Sequence, residues 1–377
     1  MSRSLTCINK ACPRKLSPVL SGDTLERAIV ASICYMDIYS CAARTSEIHR
    51  FLVGYKATQE EVNEALNSNS VRDLVDEREG FYYLKGKDHL WARRVRFLEH
   101  SRKGWVRARE IADKVEQSGL ASAGMVTGSL SAENCDEHAD IDFLFIYPAR
   151  RAWTSFGLVR LLGKVPRLGL GKMCPNYALP DDRLEIRPQN LFTAWEIAKA
   201  VPMFGLDVYQ SFVEANAWVR NFLPNALPSL DRPIQNVKPS DDNSVVKKLI
   251  ETRPFQWLER REKSRKWKRD EKDVGVNLKQ RDAEGSVDRH SPTRPFQTLC
   301  ELRYRMDLFG LDAHPLYQSI NDATQMLHSE MNHWVDKKIE PPSSRRATTQ
   351  EEKADPKERE QHGSNTIDGG RSASTPL

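Results

Sequence analysis

Residues 125–147 read MVTGSLSAENCDEHADIDFLFIY, and this stretch decides the fold class. One short apolar run ends at Gly128 and Ser129, and a second begins at Asp140 and Asp142. Short apolar runs bounded by turn residues predict buried strands. Residues i and i+2 of a strand point to the same face, so Asp140 and Asp142 are expected side by side while Ile141 turns into the core.

Two adjacent carboxylates require a compensating cation. Mg²⁺ suits this requirement because it prefers hard oxygen ligands and keeps positions open for substrate phosphates. Gly128 has no side chain to keep a phosphate from the backbone, and Ser129 at a helix start offers a hydroxyl and free amides. The stretch therefore predicts a site for Mg²⁺, or Mn²⁺, and a phosphate-bearing substrate.

A Gly-Ser pair followed, after a short helix, by a strand with Asp-x-Asp resembles the DNA polymerase β-like nucleotidyltransferase superfamily. CPNYAL at 174–179, NLFTAWEIAKAVPMFG at 190–205 and NAWVRNFLPN at 216–225 resemble bacterial nucleotidyltransferase-domain proteins, in which a winged-helix-like segment precedes the core. The resemblance spans residues 20–230. It implies transfer of a nucleoside monophosphate from a nucleoside triphosphate (NTP) such as ATP to an acceptor hydroxyl, with release of pyrophosphate.

The resemblance also implies roles for single residues. Gly128 and Ser129 would hold the β and γ phosphates, and Asp140 and Asp142 would bind two Mg²⁺ ions. The family needs a third carboxylate on a neighbouring strand, for which we select Glu185, in the sequence LEI at 184–186. The alternatives are Asp181 and Asp182, which follow Pro180 in a predicted turn, and Glu196, which lies in a helical pattern.

Other charged residues lie between the Asp-x-Asp strand and Glu185. Arg150, Arg151 and Arg160 could pair with the triphosphate, and ordinary surface arginines are the alternative. RLGLGKM at 167–173 has glycines beside Lys172 but lacks the P-loop spacing, so it is predicted to be a loop. His138 could lie near the site or be a solvated loop residue.

A winged-helix pattern precedes this core. A helix is expected from Thr24, a second at Thr45, and a third after a capping box formed by Thr58 and Glu61. Val71–Asp76 and Phe81–Leu84 are expected to form a hairpin. The presumed recognition helix, TQEEVNEALNSN, has three glutamates and no Lys or Arg, so a protein-binding or structural role is favoured over DNA binding.

The charge of the chain is concentrated in one segment. Of 377 residues, 57 are basic and 52 acidic, a net charge of +5, whereas residues 244–281 have 13 basic and 6 acidic side chains, or +7. With Trp257 and Trp267 inside it, this segment favours an RNA acceptor. An exposed, salt-bridged helix is the alternative, and protein or a small molecule remain alternative acceptors.

Composition and cysteine usage suggest a location. Seven dispersed cysteines in a chain of this length are typical of a reducing cytoplasm, and no run of 18 apolar residues occurs. Cytoplasmic localisation and no membrane partner are therefore expected.

The predicted architecture is an α/β (α+β) core with a small mixed sheet. A non-catalytic regulatory or binding protein on a degenerate core, with the winged helix as a docking module, is the alternative function. The predicted boundaries are 1–20 loose leader, 21–90 winged-helix-like domain, 91–118 connecting helix, 119–230 nucleotidyltransferase core with helical extension, 231–336 basic and helical region, and 337–377 disordered tail.

Overall fold

Two small β-sheets organise the part of the chain that a computed structural model describes. That part comprises residues 24–165, 169–226, 287–288 and 293–339, with Trp257 and Arg261. The leader, most of the +7 segment and the predicted tail beyond residue 339 lie outside it. Met1–Asn332 form one compact unit; in the second, His333–Leu377, the described residues are the helical 333–339.

The first sheet lies in the N-terminal region, and its three antiparallel strands have the order β1-β3-β2. The capping box is confirmed, since Glu61 N–H donates to Thr58 Oγ1 (3.2 Å) and Thr58 N–H donates to Glu61 Oε2 (2.7 Å). The elements are α1 Thr24–Ile38, β1 Ala43–Arg44, α2 Thr45–Arg50, α3 Gln59–Leu66, α4 Asn69–Arg72, β2 Val75–Arg78 and β3 Phe81–Leu84.

The predicted hairpin is confirmed, but its first strand begins later than expected. Val71 lies in α4, because Ser68 caps this short helix by accepting the Val71 N–H (3.4 Å). An N-cap of this kind stabilises the helical turn over an extended backbone. The strand start predicted at Val71 is therefore wrong, and the first strand of the hairpin is β2, which begins at Val75.

Helix α1 is buried on all sides over most of its length. All residues from Ala28 to Asp37 are buried, because α10 (Thr293–Phe309) also packs against it. Tyr39, just after α1, hydrogen-bonds Thr298 on α10 (2.8 Å).

Helix α5 (His89–Ser118) confirms the predicted connecting helix. On this helix Val95 is 44% exposed, whereas the side chain of Arg94 is wholly buried. Arg94 turns inward because it has polar partners there, including Glu47 and the Ala132 carbonyl oxygen.

The second sheet has five strands in the order β7-β4-β5-β6-β8. Strands β5 and β6 are parallel and the other pairs antiparallel, so the predicted small mixed sheet is confirmed. Two 3-10 turns cover Ala149–Arg151 and Ala217–Asn221. The remaining elements are β4 Ala123–Val126, α6 Gly128–Ser131, β5 Ile141–Tyr147, α7 Ala152–Gly163, β6 Met173–Pro180, α8 Leu191–Ala198, β7 Val201–Phe204, α9 Leu206–Ala215, β8 Val287–Asp288 and α11 Tyr317–Ile339.

Strand β5 is central and buried on both faces. Phe143, Phe145 and Tyr147 belong to the core formed with α5 and α7. Leu144 and Ile146 belong to a second, larger core, which continues into the N-terminal region, α8, α9, α10 and α11.

Trp195 joins several elements in the larger core. Its ring stacks on Tyr35 of α1 (centroids 3.9 Å apart) and on Phe51 (5.0 Å). Trp195 is 6% exposed, and Trp218 and Phe222 are half-buried and pack edge to face (6.0 Å).

Two buried polar groups stabilise the helical side of this core. The side chain of Asp37 is 2% exposed and forms ion pairs with Lys87 (2.5 Å) and Arg305. The His314 ring contacts the Val53 carbonyl oxygen through Nε2 (3.2 Å) and accepts the Leu316 N–H at Nδ1 (3.1 Å). Burial lowers the pKa of His314 to about 4.

Among the described helices, none combines the length and the apolar character that crossing a membrane would take.

Candidate functional site

The Gly-Ser turn and the Asp-x-Asp strand meet at one edge of the mixed sheet. Strand β4 pairs with β5 up to Val126 opposite Phe143, and the Thr127 N–H then donates to the Asp142 carbonyl oxygen (2.8 Å). Gly128 follows with φ +69° and opens the four-residue helix α6. The chain thus turns away from the sheet directly beside Asp142.

Gly128 is required here by both conformation and contact. Its positive φ is a region that glycine enters without the steric cost paid by other residues. A Cβ atom at this position would lie 2.9 Å from Cγ of Asp142 and closer still to Oδ2. Therefore the carboxylate of Asp142 packs against the backbone of Gly128, and a side chain at 128 would displace it.

The two aspartates differ in exposure. Asp140 is exposed and precedes β5, whereas Asp142 is half-buried and is its second residue. Ile141 between them is 4% exposed and packs in the core with α5, as predicted. Asp140 was expected on the strand itself, but β5 begins one residue later.

Ser129 and Cys135 fix the segment that connects the turn to the aspartates. The Ser129 carbonyl oxygen accepts the Asn134 N–H (2.9 Å), which closes the chain after α6. Cys135 is 5% exposed and contacts Ser101 on α5 (Sγ to Oγ, 3.3 Å). Burial raises the pKa of the Cys135 thiol, so this side chain is a neutral anchor.

Lys172 lies beside the aspartates, although the sequence predicted only a loop there. Its carbonyl oxygen accepts the N–H of Ile141 (2.8 Å), and its Nζ donates to the carbonyl oxygen of Glu137 (2.8 Å). The sequence signal that could have indicated this position is a lysine directly before the apolar run that forms β6. His138, in the loop between α6 and β5, is exposed, and its N–H donates to Asp136 Oδ1 (2.8 Å).

Glu185 does not lie on a strand, so that part of its prediction is wrong. Strand β6 ends at Pro180, and Glu185 lies in the irregular segment after it. Its carboxylate accepts hydrogen bonds from Arg187 (3.2 Å) and Gln189 (2.8 Å). These local contacts hold an extended loop whose alternation of exposed and buried residues resembles that of a strand.

The other acidic candidates lie in the turn and the helix that the sequence predicted for them. Asp181 lies in the predicted turn after β6, and its Oδ1 accepts the Ala149 N–H (3.0 Å). Asp182 lies in the same turn. Glu196 is on α8, as expected, and pairs with Lys199 (2.6 Å).

Strand β6 is the parallel neighbour of β5, and it has no acidic residue between Met173 and Pro180. Cys174 is the residue across from Asp142. Within the described ranges, His, Cys, Asp and Glu side chains nowhere gather in a group of three or more suited to a metal ion. The structure thus does not gather Asp140, Asp142 and Glu185 into one group of carboxylates.

Two of the three arginines considered for the triphosphate lie near the other end of β5. Arg150 and Arg151 follow this strand in a 3-10 turn, about 20 Å along the strand from the aspartates at roughly 3.3 Å per residue. Arg151 is 6% exposed, and the guanidinium of Arg160 lies over the Phe156 ring (5.7 Å). For Arg150 and Arg151, this position does not favour contact with a ligand at Gly128.

The geometry at this edge can hold a phosphate-bearing ligand and a hard cation. Gly128, itself buried, packs its backbone against the half-buried carboxylate of Asp142, and Asp140 adds a second, exposed carboxylate. Oxygen donors of this kind suit Mg²⁺ and leave positions for phosphate oxygens. No known protein family, curated protein or solved structure matches the chain.

Proposed function

We propose that the chain is a Mg²⁺-dependent nucleotidyltransferase, which moves a nucleoside monophosphate from an NTP to an acceptor hydroxyl and releases pyrophosphate. One observation carries the proposal: the Asp142 carboxylate packs against Gly128. The Gly-Ser turn and the Asp-x-Asp strand, which are separate in the sequence, therefore form one site. This supports a nucleotidyltransferase core within the mixed sheet.

Each residue has a role in this proposal. Gly128 and Ser129 bind the β and γ phosphates through backbone amides and the Ser129 hydroxyl. Asp140 and Asp142 hold the metal ions, Mg²⁺ or Mn²⁺. When bound, the metal supplies Lewis-acid chemistry to the attacking hydroxyl and to the leaving pyrophosphate.

Lys172 complements the phosphates in the same proposal. Its carbonyl group is bonded to Ile141, which fixes its backbone between the two aspartates along the sheet edge. Its Nζ bond to the Glu137 carbonyl oxygen is on the surface and can be exchanged for a phosphate oxygen. Lys172 would then add positive charge where the NTP binds.

Glu185 remains the candidate for the third carboxylate, acting as the acceptor of the proton from the attacking hydroxyl. For this role it must release Arg187 and Gln189. A Glu185→Gln variant that folds and turns over normally would remove it from the mechanism.

The N-terminal region supports a winged-helix-like interpretation. Its order of helices and strands, with the sheet order β1-β3-β2, places a hairpin after α3. The exposed surface of α3 includes Glu60, Glu61 and Glu64, which repel a phosphate backbone. We therefore propose that it binds a protein partner; a gel shift with random duplex DNA at low salt, if positive through this region, would show DNA binding instead.

The acceptor is proposed to be RNA. This proposal depends on the composition of residues 244–281, with 13 basic and 6 acidic side chains, which lie largely outside the described residues. Protein and small-molecule acceptors are the other outcomes of the experiment below. Cytoplasmic localisation is likewise a proposal from cysteine usage.

A second function is favoured by one observation on β6. Cys174 is across from Asp142, and this neighbouring strand offers no carboxylate. A site with two carboxylates can bind a metal-nucleotide complex without deprotonating an acceptor. The alternative is thus a regulatory protein that binds nucleotide on a degenerate core.

Label transfer separates the two functions. The purified chain is incubated with each α-labelled NTP and Mg²⁺, with and without total cellular RNA, beside the Asp140→Ala/Asp142→Ala variant. Label incorporated into RNA, protein or a small molecule, and absent in the variant, supports transfer and identifies the acceptor class. Mg²⁺-dependent nucleotide binding without incorporation supports the regulatory alternative, and absence of both contradicts the proposed site.

A further inference from the structure

The segment Ala132–Asn134, directly after α6, is tied to the N-terminal region by buried polar contacts. The first runs through Arg94 on α5, whose side chain is wholly buried. One guanidinium nitrogen of Arg94, Nη1, donates to the Ala132 carbonyl oxygen (2.8 Å) and to the sulfur of Cys41 (3.1 Å). The other, Nη2, pairs with Glu47 on α2. A single side chain thus connects α2, the turn after α1 and the segment after the Gly-Ser turn.

The second contact runs through Asn134, which is 8% exposed. Its Nδ2 donates to the Tyr39 carbonyl oxygen (3.0 Å), and its Oδ1 accepts from Arg93 (2.8 Å). Arg93 also donates to the Ser40 carbonyl oxygen (2.6 Å). Both the nitrogen and the oxygen of the Asn134 side-chain amide therefore fix this segment against the turn between α1 and β1.

These contacts are continuous with the site. The Asn134 N–H donates to the Ser129 carbonyl oxygen (2.9 Å), so Asn134 is bonded directly to the predicted phosphate-binding turn. Arg44 and Glu133 add a more exposed ion pair (3.5 Å) across the same boundary. A change in the α1–β1 turn therefore reaches Ser129 through two hydrogen bonds.

We propose that Arg94 and Asn134 are positioning residues, which fix the Gly128–Ser129 turn by tying Ala132–Asn134 to the N-terminal region. The inference deepens the proposed function and rests on it for its effect on nucleotide. Nε of Arg94 has no partner, but loss of the contacts above would leave further buried polar groups unpaired, so they favour one arrangement of the segment and the α1–β1 turn. A partner that moves this turn would alter nucleotide binding at the sheet edge.

The experiment uses the full chain with three variants. Arg94→Lys keeps a charge for Glu47, so this variant is expected to fold. It lacks the planar guanidinium fork that also reaches Ala132. Asn134→Ala removes the second contact. Arg102→Lys is the matched control, because Arg102 is on the same helix, 80% exposed and paired only with Glu99 among its described contacts.

Two measurements decide the inference. Hydrogen exchange of residues 128–134 without ligand is expected to accelerate in Arg94→Lys and Asn134→Ala and to stay unchanged in Arg102→Lys. In label transfer, KM for the NTP is expected to rise about tenfold in the two variants, as for other residues that orient a binding group, while kcat changes far less.

Unchanged exchange in the folded Arg94→Lys and Asn134→Ala variants would overturn the positioning role. Faster exchange with an unchanged KM would also overturn it, because the turn would then not depend on the contact for binding. If the wild type itself neither binds nor transfers nucleotide, the proposed function fails, and the exchange result alone decides whether these residues fix the turn.

Discussion

Asp37 and the Asp140/Asp142 pair show two ways in which this chain uses acidic side chains. Asp37 is deep in the larger core, and Lys87 and Arg305 neutralise it from two other parts of the chain. The pair lies at a sheet edge, with Asp140 exposed and Asp142 against a glycine. The fold compensates the first charge with its own cations, whereas at the sheet edge it leaves one carboxylate exposed and packs the other against the buried backbone of Gly128. The first arrangement serves stability, and the second suits a charged ligand.

The largest expected effect separates these two uses by stability. Asp37→Asn should lower the free energy of unfolding by about 3–5 kcal/mol, because two cations lose their buried counter-charge. Asp140→Asn should change it by less than about 0.5 kcal/mol, as for other surface substitutions. Urea denaturation of both variants measures the difference. Equal losses would show that Asp140 is also a structural residue.

His314 extends the comparison to a buried group that must stay neutral. Its folded pKa of about 4 lies below the ordinary 6.5, so the folded state binds fewer protons than the unfolded state. The contribution of neutral His314 to the free energy of unfolding is therefore complete above pH 6.5. It should be lost as pH falls from 6.5 towards 4, by about 1.4 kcal/mol per pH unit and about 3 kcal/mol in all.

The check is urea denaturation across this pH range with a His314→Gln variant. The variant should be less stable at neutral pH and should lack this component of the acid loss. An unchanged pH dependence would assign the acid loss to other groups.

Gly128 tests the close approach at the sheet edge. Gly128→Ala should cost about 2 kcal/mol or more, from the left-handed backbone and from displacement of the Asp142 carboxylate. Gly86→Ala is the matched control, since Gly86 has φ +79° and no atom within 4 Å of the added Cβ. Only Gly128→Ala should also weaken Mg²⁺-dependent nucleotide binding, as measured by calorimetry. Similar results for both variants would show that the contact between Gly128 and Asp142 affects neither stability nor nucleotide binding.

The smallest effect concerns Lys172. Lys172→Ala should weaken nucleotide binding by about 1 kcal/mol, or about fivefold, at low salt, because an exposed cation is screened. Lys103→Ala, an exposed lysine on α5, should leave binding unchanged. If Lys172→Ala also leaves binding unchanged at low salt, Lys172 makes no contact with the phosphates.

The sequence predicted what depends on neighbours along the chain. The capping box at Thr58, the β2–β3 hairpin and the burial of Ile141 follow from local patterns, and the structure confirms them. Burial around all of α1 depends instead on α10, more than 250 residues later, which no local periodicity indicates.

The candidate site divides along the same line. Gly128 and Asp142 were predicted together and do make contact. Arg94 was missed because its partners come from the α1–β1 turn, α2 and the segment after α6, and a buried arginine looks like any other in a charged helix. Glu185 was misplaced because three alternating residues do not distinguish a strand from an extended loop.

The stack of Tyr35, Trp195 and Phe51 has a consequence for folding cooperativity. It lies within a core that runs without interruption from α1 through α8 to α10. Heat should therefore melt the N-terminal helices and the mixed sheet in one calorimetric transition. A fragment of residues 21–90 would lose the cover over Tyr35 and Phe51, so the N-terminal region should not be a module that can be grafted onto another protein.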